Sequence, residues 1–227
     1  VVLDMPMSGV FEEAMLLRGF AQFLMDLAGN KPFAKALLKE LADYQAALYG
    51  HALEAAGDHL DAIWYSDDLG MQEGALMSRE TYEELLFPAQ VRVWEAIKSR
   101  GGVFLVLHSC GSISGFLDLL SQGGIDAIHP VQPLAKGMAP AQIKSKFGER
   151  LCFWGGVDIQ QVLPYGSPAD VEKEVMLRIR ELGPGGGYIC TPAHNIQPGV
   201  PPENICALYD TIFQRGLYGG GGDQIGK

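Results

Sequence analysis

The chain has 227 residues, 48% of them hydrophobic and 19% charged, enough for one large domain or two small ones with a sizeable core. Its net charge of −10 and pI near 4.9 argue against nucleic acid or an anionic membrane as a partner, since both need a basic face. No apolar run reaches the roughly 18 residues of a transmembrane helix, and no signal-type segment opens the chain, so a cytoplasmic protein is expected.

Val1–Met5 reads as a strand. Phe11–Ala28 reads as one helix, with Phe11, Met15, Phe20, Phe23, Leu24 and Leu27 at helical spacing and Gly29-Asn30 as its stop. Pro32 opens a second helix in the favoured first-turn position, running to about Ala56. Ala62–Ser66 is a short strand, followed by Asp67, Asp68 and Gln72. Ser78 caps a helix over Tyr82–Ser99, in which Pro88 predicts a kink. Val103–Leu107 is a buried strand ending in His108, Ser109, Cys110 and Gly111. A helix over Ile113–Gln122, a strand over Ile125–Val131 and a helix over Ala139–Phe147 come next. Leu151–Val157 is a strand, Ser167 and Pro168 begin a helix reaching Leu182, Tyr188–Thr191 is a strand and Glu203–Arg215 the last helix. The glycines of 219–222 and the residues to Lys227 read as a flexible tail.

Strands thus alternate with helices, and the strands are nearly continuous apolar runs. That pattern predicts a parallel α/β sheet covered on both faces. An open doubly wound sheet and a (β/α)8 barrel both fit. The polar residues favour the barrel, because they come after several different strand ends: Asp67, Asp68 and Gln72; His108 and Cys110; His129 and Gln132; Asp158; Cys190, His194 and Asn195. Six strands are too few to close a barrel of about 250 residues. The expectation is therefore a single barrel domain over 1–218 that lacks its first strands, either inactive alone or closed by a second copy.

Chemistry is expected first at His108 and Cys110. Side chains i and i+2 of a strand point the same way, so an imidazole and a thiol leave one strand tip together, two ligands preset for zinc. Gly111 lets the backbone turn away. Asp67 and Asp68 could form a carboxylate pair that holds substrate or takes a proton, or could cap a turn. Gln72, His129, Gln132, Asp158 and Asn195 are candidate substrate-positioning groups, and Trp154 a candidate pocket wall. The four cysteines, Cys110, Cys152, Cys190 and Cys206, do not pattern as a disulfide framework. Cys152 and Cys206, lying among apolar neighbours, are expected to be core thiols. The loop Gly183–Gly187 is no phosphate-binding loop, since it lacks Gly-Lys-Ser/Thr and precedes a strand.

Four stretches together resemble the uroporphyrinogen decarboxylase superfamily: His108-Ser109-Cys110-Gly111, HPVQP at His129–Pro133, FWGGVD at Phe153–Asp158, and the run from Gly185 to Asp210. The resemblance covers about Arg18 to Tyr218 and implies a (β/α)8 barrel longer than this chain. The superfamily holds metal-free decarboxylases of uroporphyrinogen III and zinc-dependent methyltransferases working between corrinoid proteins and thiols such as coenzyme M. The His-x-Cys pair is similar to the methyltransferase branch, which implies a third ligand after the last strand. His194 occupies that position, where those methyltransferases carry Cys, and Cys190 is the alternative. The resemblance implies Zn2+ on His108, Cys110 and His194, a small-molecule substrate and a corrinoid protein as partner, while the placement of Asp67, Asp68, Asp158 and His194 just after strand ends makes them the expected catalytic residues. A zinc-bound thiol would lose its proton and attack a methyl group, or the metal would polarise a methoxy-type donor. Decarboxylation, or a non-catalytic binding role, is the alternative.

Overall fold

A computed structural model describes residues 1–4 and 6–217; the tail expected over 219–227 lies outside the described residues. The chain divides into two compact units, Val1–Ile128 and His129 onward.

The first unit holds strand β1 (Val2–Leu3) and helices α1 (Val10–Arg18), α2 (Phe20–Gly29) and α3 (Lys31–Ala56). Next come strand β2 (Ala62–Ser66) and the two-residue strands β3 (Gly70–Met71) and β4 (Gly74–Ala75). Helices α4 (Arg79–Thr81) and α5 (Phe87–Lys98), strand β5 (Phe104–His108) and helix α6 (Leu117–Gln122) come after them. Strand β6 (Ala127–Val131) crosses from one unit to the next. The second unit continues with helix α7 (Pro140–Phe147), strand β7 (Cys152–Val157), helices α8 (Val162–Tyr165) and α9 (Pro168–Leu182), strand β8 (Tyr188–Pro192) and helix α10 (Pro202–Arg215). One sheet takes six strands in the order β1-β2-β5-β6-β7-β8, with β3 and β4 as a separate antiparallel hairpin. Each main strand neighbours the next along the chain, as successive strands of a (β/α)8 barrel do.

The helix expected over 11–28 is two helices. Gly19 breaks it at φ +88°, a conformation that side chains rarely adopt. Across the break Arg18 Nε donates to Asp26 Oδ2 at 2.7 Å, which holds α1 and α2 as a pair. Burial recurs in α3 at Ala34, Leu38, Ala42, Gln45, Ala46, Tyr49 and Leu53, one stripe at helical period. Its alanines let α5 pack alongside.

The predicted kink at Pro88 takes the form of a π turn over Tyr82–Leu86. Proline offers no N–H to continue the ladder, and the Phe87 N–H reaches back five residues to the Tyr82 carbonyl. Ser78 caps α4 as expected, its hydroxyl accepting the Thr81 N–H at 3.1 Å. Ser167 and Asp170 form a capping box at the start of α9, with Pro168 behind the cap.

Two expected core thiols are on the surface, since Cys152 and Cys206 are both exposed. The buried stripe of α10 runs through Asn204, Leu208 and Thr211, and Cys206 falls about 200° from Asn204 around that helix. Cys152 is the first residue of β7, and Phe153 beside it takes the buried side.

Candidate metal centre

The register of the sheet builds the site. β2 and β5 are parallel partners, with Ser66 opposite His108. Both strands are filled by buried apolar residues, Ile63 and Tyr65 on one and Leu105 to Leu107 on the other, so their ends are fixed by the core. The loop leaving Ser66 and the loop leaving His108 therefore emerge side by side.

The His108 Nε2 and Cys110 Sγ lie 3.5 Å apart. Tetrahedral zinc with bonds of about 2.1 Å to nitrogen and about 2.3 Å to sulfur sets those two atoms about 3.5 Å from each other. The donor types and their spacing fit the ion. Trp64 flanks the imidazole, its ring centroid 5.8 Å away on the same face of the sheet. Burial, and next the Asp68 carboxylate beside it, push the Cys110 thiol up to about 12. A negative, desolvated setting that disfavours a bare thiolate favours a cation beside it.

The loop after β5 is pinned to the loop after β2. The Asp67 N–H donates to the His108 carbonyl at 2.9 Å. The Cys110 N–H donates to Asp68 Oδ1 at 2.7 Å. The Leu69 N–H donates to the Ser109 hydroxyl at 3.0 Å, and Ser109 is buried. Gly70 and Gly111 sit backbone against backbone: a Cβ on Gly70 would stand 2.8 Å from the Cys110 carbonyl oxygen.

The two aspartates have different duties. Asp67 is fully buried. Its carboxylate accepts the N–H groups of Phe11 at 3.1 Å and Glu12 at 3.0 Å, and the Gln90 amide at 2.8 Å, so it anchors the first turn of α1 to the end of β2. Burial pushes Asp67 up to about 7, against those three donors, which act to lower it. Asp68 is half exposed, and its Oδ1 stands 3.8 Å from His108 Nε2.

Glu12 is a site residue that sequence reasoning missed. α1 brings its carboxylate to the same place, where it accepts from the Ser66 hydroxyl at 3.4 Å. Burial, then the charges of Asp67 and Asp68, push Glu12 up to about 7. No local signal marks it, because its neighbours lie more than fifty residues away in sequence. Gln72 is exposed on the turn of the β3–β4 hairpin.

In the second unit His129 is buried on β6, its ring 5.6 Å from the Trp154 ring in an edge contact. Gln132 comes just after β6 and is part-buried. Asp158 is buried after β7, where its carboxylate accepts the N–H groups of Gln160 at 2.8 Å, Gln161 at 3.1 Å and Val162 at 3.0 Å. It thus caps α8. Cys190 pairs in register with Gly155. Burial pushes its thiol up, and its electrostatic neighbours are the Tyr188 hydroxyl and the Glu174 carboxylate of α9. His194 is half-buried just past β8, and its Nδ1 accepts the Asn195 N–H at 2.8 Å.

The family model described as uroporphyrinogen decarboxylase (URO-D) matches residues 7–214. A methylcobamide:CoM methyltransferase, MtbA, of Methanosarcina mazei is 31% identical over 86% of this chain and 55% of its own length. A uroporphyrinogen decarboxylase of Anaeromyxobacter dehalogenans is 27% identical over 88% of this chain and 53% of its own. Among solved structures, a methyltransferase from Methanosarcina mazei superposes with a TM-score of 0.75 at 19% identity, covering 95% of this chain and 59% of that one. The chain spans about half the length of these relatives, and the fold is shared along nearly all of it.

Proposed function

The chain belongs to the uroporphyrinogen decarboxylase family, and from that premise we propose that it is a zinc-dependent methyltransferase moving a methyl group between a corrinoid or methylated substrate and a thiol. The observation that carries this reading is the 3.5 Å approach of His108 Nε2 to Cys110 Sγ at the end of β5. Both relatives with methyl-transfer names and relatives with decarboxylase names match at similar identity, so identity alone does not choose between the reactions.

His108 and Cys110 would hold the ion. His194 is the third ligand in this reading. It comes just after the last strand, and the Nδ1 lone pair that accepts the adjoining Asn195 N–H is one that a metal could take instead. Cys190 is the poorer choice, since its surroundings are the Tyr188 hydroxyl and Glu174 of α9. A bound zinc supplies positive charge that holds an incoming thiol as its thiolate near neutral pH. Cys110 would hold the ion as its thiolate, so its proton would have to leave. Trp64 walls one side of the imidazole and limits its swing. Glu12, held up near 7 by burial, stands ready to accept a proton released close by. Where a methylcorrinoid is the donor, a corrinoid protein is the partner, with a small thiol as acceptor.

Elemental analysis of protein purified without added metal tests the reading. About one zinc per chain is expected, lost in His108→Ala and in Cys110→Ala, together with methyl transfer from methylcobalamin to coenzyme M. Metal-free protein that decarboxylates uroporphyrinogen III would overturn it.

A further inference from the structure

Asp68 carries an inference that rests on the zinc reading and extends it. Its Oδ1 accepts the Cys110 N–H at 2.7 Å and stands 3.8 Å from His108 Nε2. One carboxylate oxygen thus faces both expected ligands. The side chain is 38% exposed, so it can be altered without opening the core, whereas its neighbour Asp67 is sealed beneath α1.

Charge is the deciding quantity. A divalent ion held by two neutral imidazoles and one thiolate retains a net charge of about +1. Ions in part-buried sites are bound more tightly when nearby anions balance that excess, and groups hydrogen-bonded to the ligands set both affinity and ligand basicity. We propose that Asp68 is a positioning residue for the metal: it holds the Cys110 turn through the backbone N–H and, without touching the ion, supplies the negative charge that a His-Cys-His ligand set lacks. It acts through Cys110 and His108. This differs from a role in gripping substrate.

Asp68→Asn keeps an oxygen that can accept the Cys110 N–H and removes the charge, whereas Asp68→Glu keeps the charge. Zinc affinity is read by competition with a chromophoric chelator, and the thiolate-to-metal absorption band is read in the cobalt(II)-loaded protein. Asp68→Asn is expected to bind zinc about 10- to 100-fold more weakly and to shift the cobalt band, with its thermal midpoint close to wild type. Asp68→Glu should recover most of the affinity. Adding His194→Cys to Asp68→Asn should also recover it, because a second thiolate replaces the missing charge. Wild-type affinity and an unshifted band in Asp68→Asn would overturn the inference while leaving the zinc reading intact. A wild-type protein that takes up no zinc would end the zinc reading, and this inference with it.

Discussion

The Gln90 amide donates to Asp67 Oδ2 at 2.8 Å with both side chains fully buried. Gln90 in turn accepts the Tyr82 hydroxyl at 2.7 Å, so α5, the end of β2 and the first turn of α1 share one polar network. Every arm of the Asp67 carboxylate is engaged by the scaffold. Asp67→Ala would leave the Phe11 and Glu12 N–H groups and the Gln90 amide without their acceptor. A buried donor left unsatisfied costs about 1–3 kcal/mol. Urea denaturation of Asp67→Ala is expected to show a loss of roughly 3 kcal/mol or more, against less than about 1 kcal/mol for the half-exposed Asp68→Ala. Equal losses would show that the network is not what Asp67 serves.

Zinc uptake should depend steeply on pH. The metal-free Cys110 thiol is pushed up to about 12, so it is protonated throughout the neutral range and must release one proton to solvent for each ion bound. Affinity is then expected to rise about tenfold per pH unit from roughly pH 7 to pH 9. Chelator competition at three pH values measures the slope, and a proton count in weakly buffered solution checks it. Cys110→Ser should flatten the slope, whereas Cys152→Ser and Cys206→Ser, at exposed thiols, should leave it unchanged.

The elements and the His-x-Cys pair were legible because each is encoded within a few residues. The apolar runs gave the strands, Ser78 and Ser167 gave helix starts, and the alternation of a strand put His108 and Cys110 on one side. Glu12, Gln90 and Ser109 were not legible, since each acquires its meaning from a residue dozens of positions away. Cys206 misled because its neighbours in sequence are apolar while its position on the helical wheel is not on the buried stripe. Gly19 was hidden inside an otherwise regular helical pattern; only its positive φ reveals the break. Asp67 and Asp68 look alike in sequence. At the end of β2 the first turns inward under α1 and the second outward to Cys110.

Glu12 gives stability a pH dependence with a definite sign. Its folded value is raised from 4.5 to about 7 by burial and by Asp67 and Asp68. Between those values the unfolded chain has released the proton and the folded chain keeps it, so folding binds more protons there. The contribution is fully present below about pH 4.5 and is lost as pH rises toward about 7. Glu12→Gln removes the titration and retains an acceptor for Ser66. Relative to wild type, the variant should therefore gain stability as pH rises from about 4.5 to about 7 and change little above that. Urea denaturation of the two proteins at several pH values in this range reads the difference. A difference that stays constant would contradict a raised Glu12.

Gly111 should be the most sensitive backbone position of the centre. Its φ is +79°, and a Cβ there would lie 2.6 Å from the Gly70 carbonyl carbon and 2.7 Å from the Met71 nitrogen. Neither neighbour can yield easily, because the Met71 carbonyl accepts the Ser112 N–H at 2.8 Å and β3 is tied to β4. Relief has to come from the chain between His108 and Ser112, which carries Cys110. A side chain forced into the left-handed region costs about 1–2 kcal/mol before any clash. Gly111→Ala is thus expected to lower the thermal midpoint by several degrees and to weaken zinc binding by at least tenfold, through displacement of the Cys110 sulfur from His108. Gly115 provides the control, since nothing lies within 4 Å of where its Cβ would be and Gly115→Ala should leave zinc affinity near wild type. Thermal melts and chelator competition on the two variants read both effects. A Gly111→Ala protein that binds zinc as tightly as Gly115→Ala would mean that the turn does not set the spacing of the ligand pair.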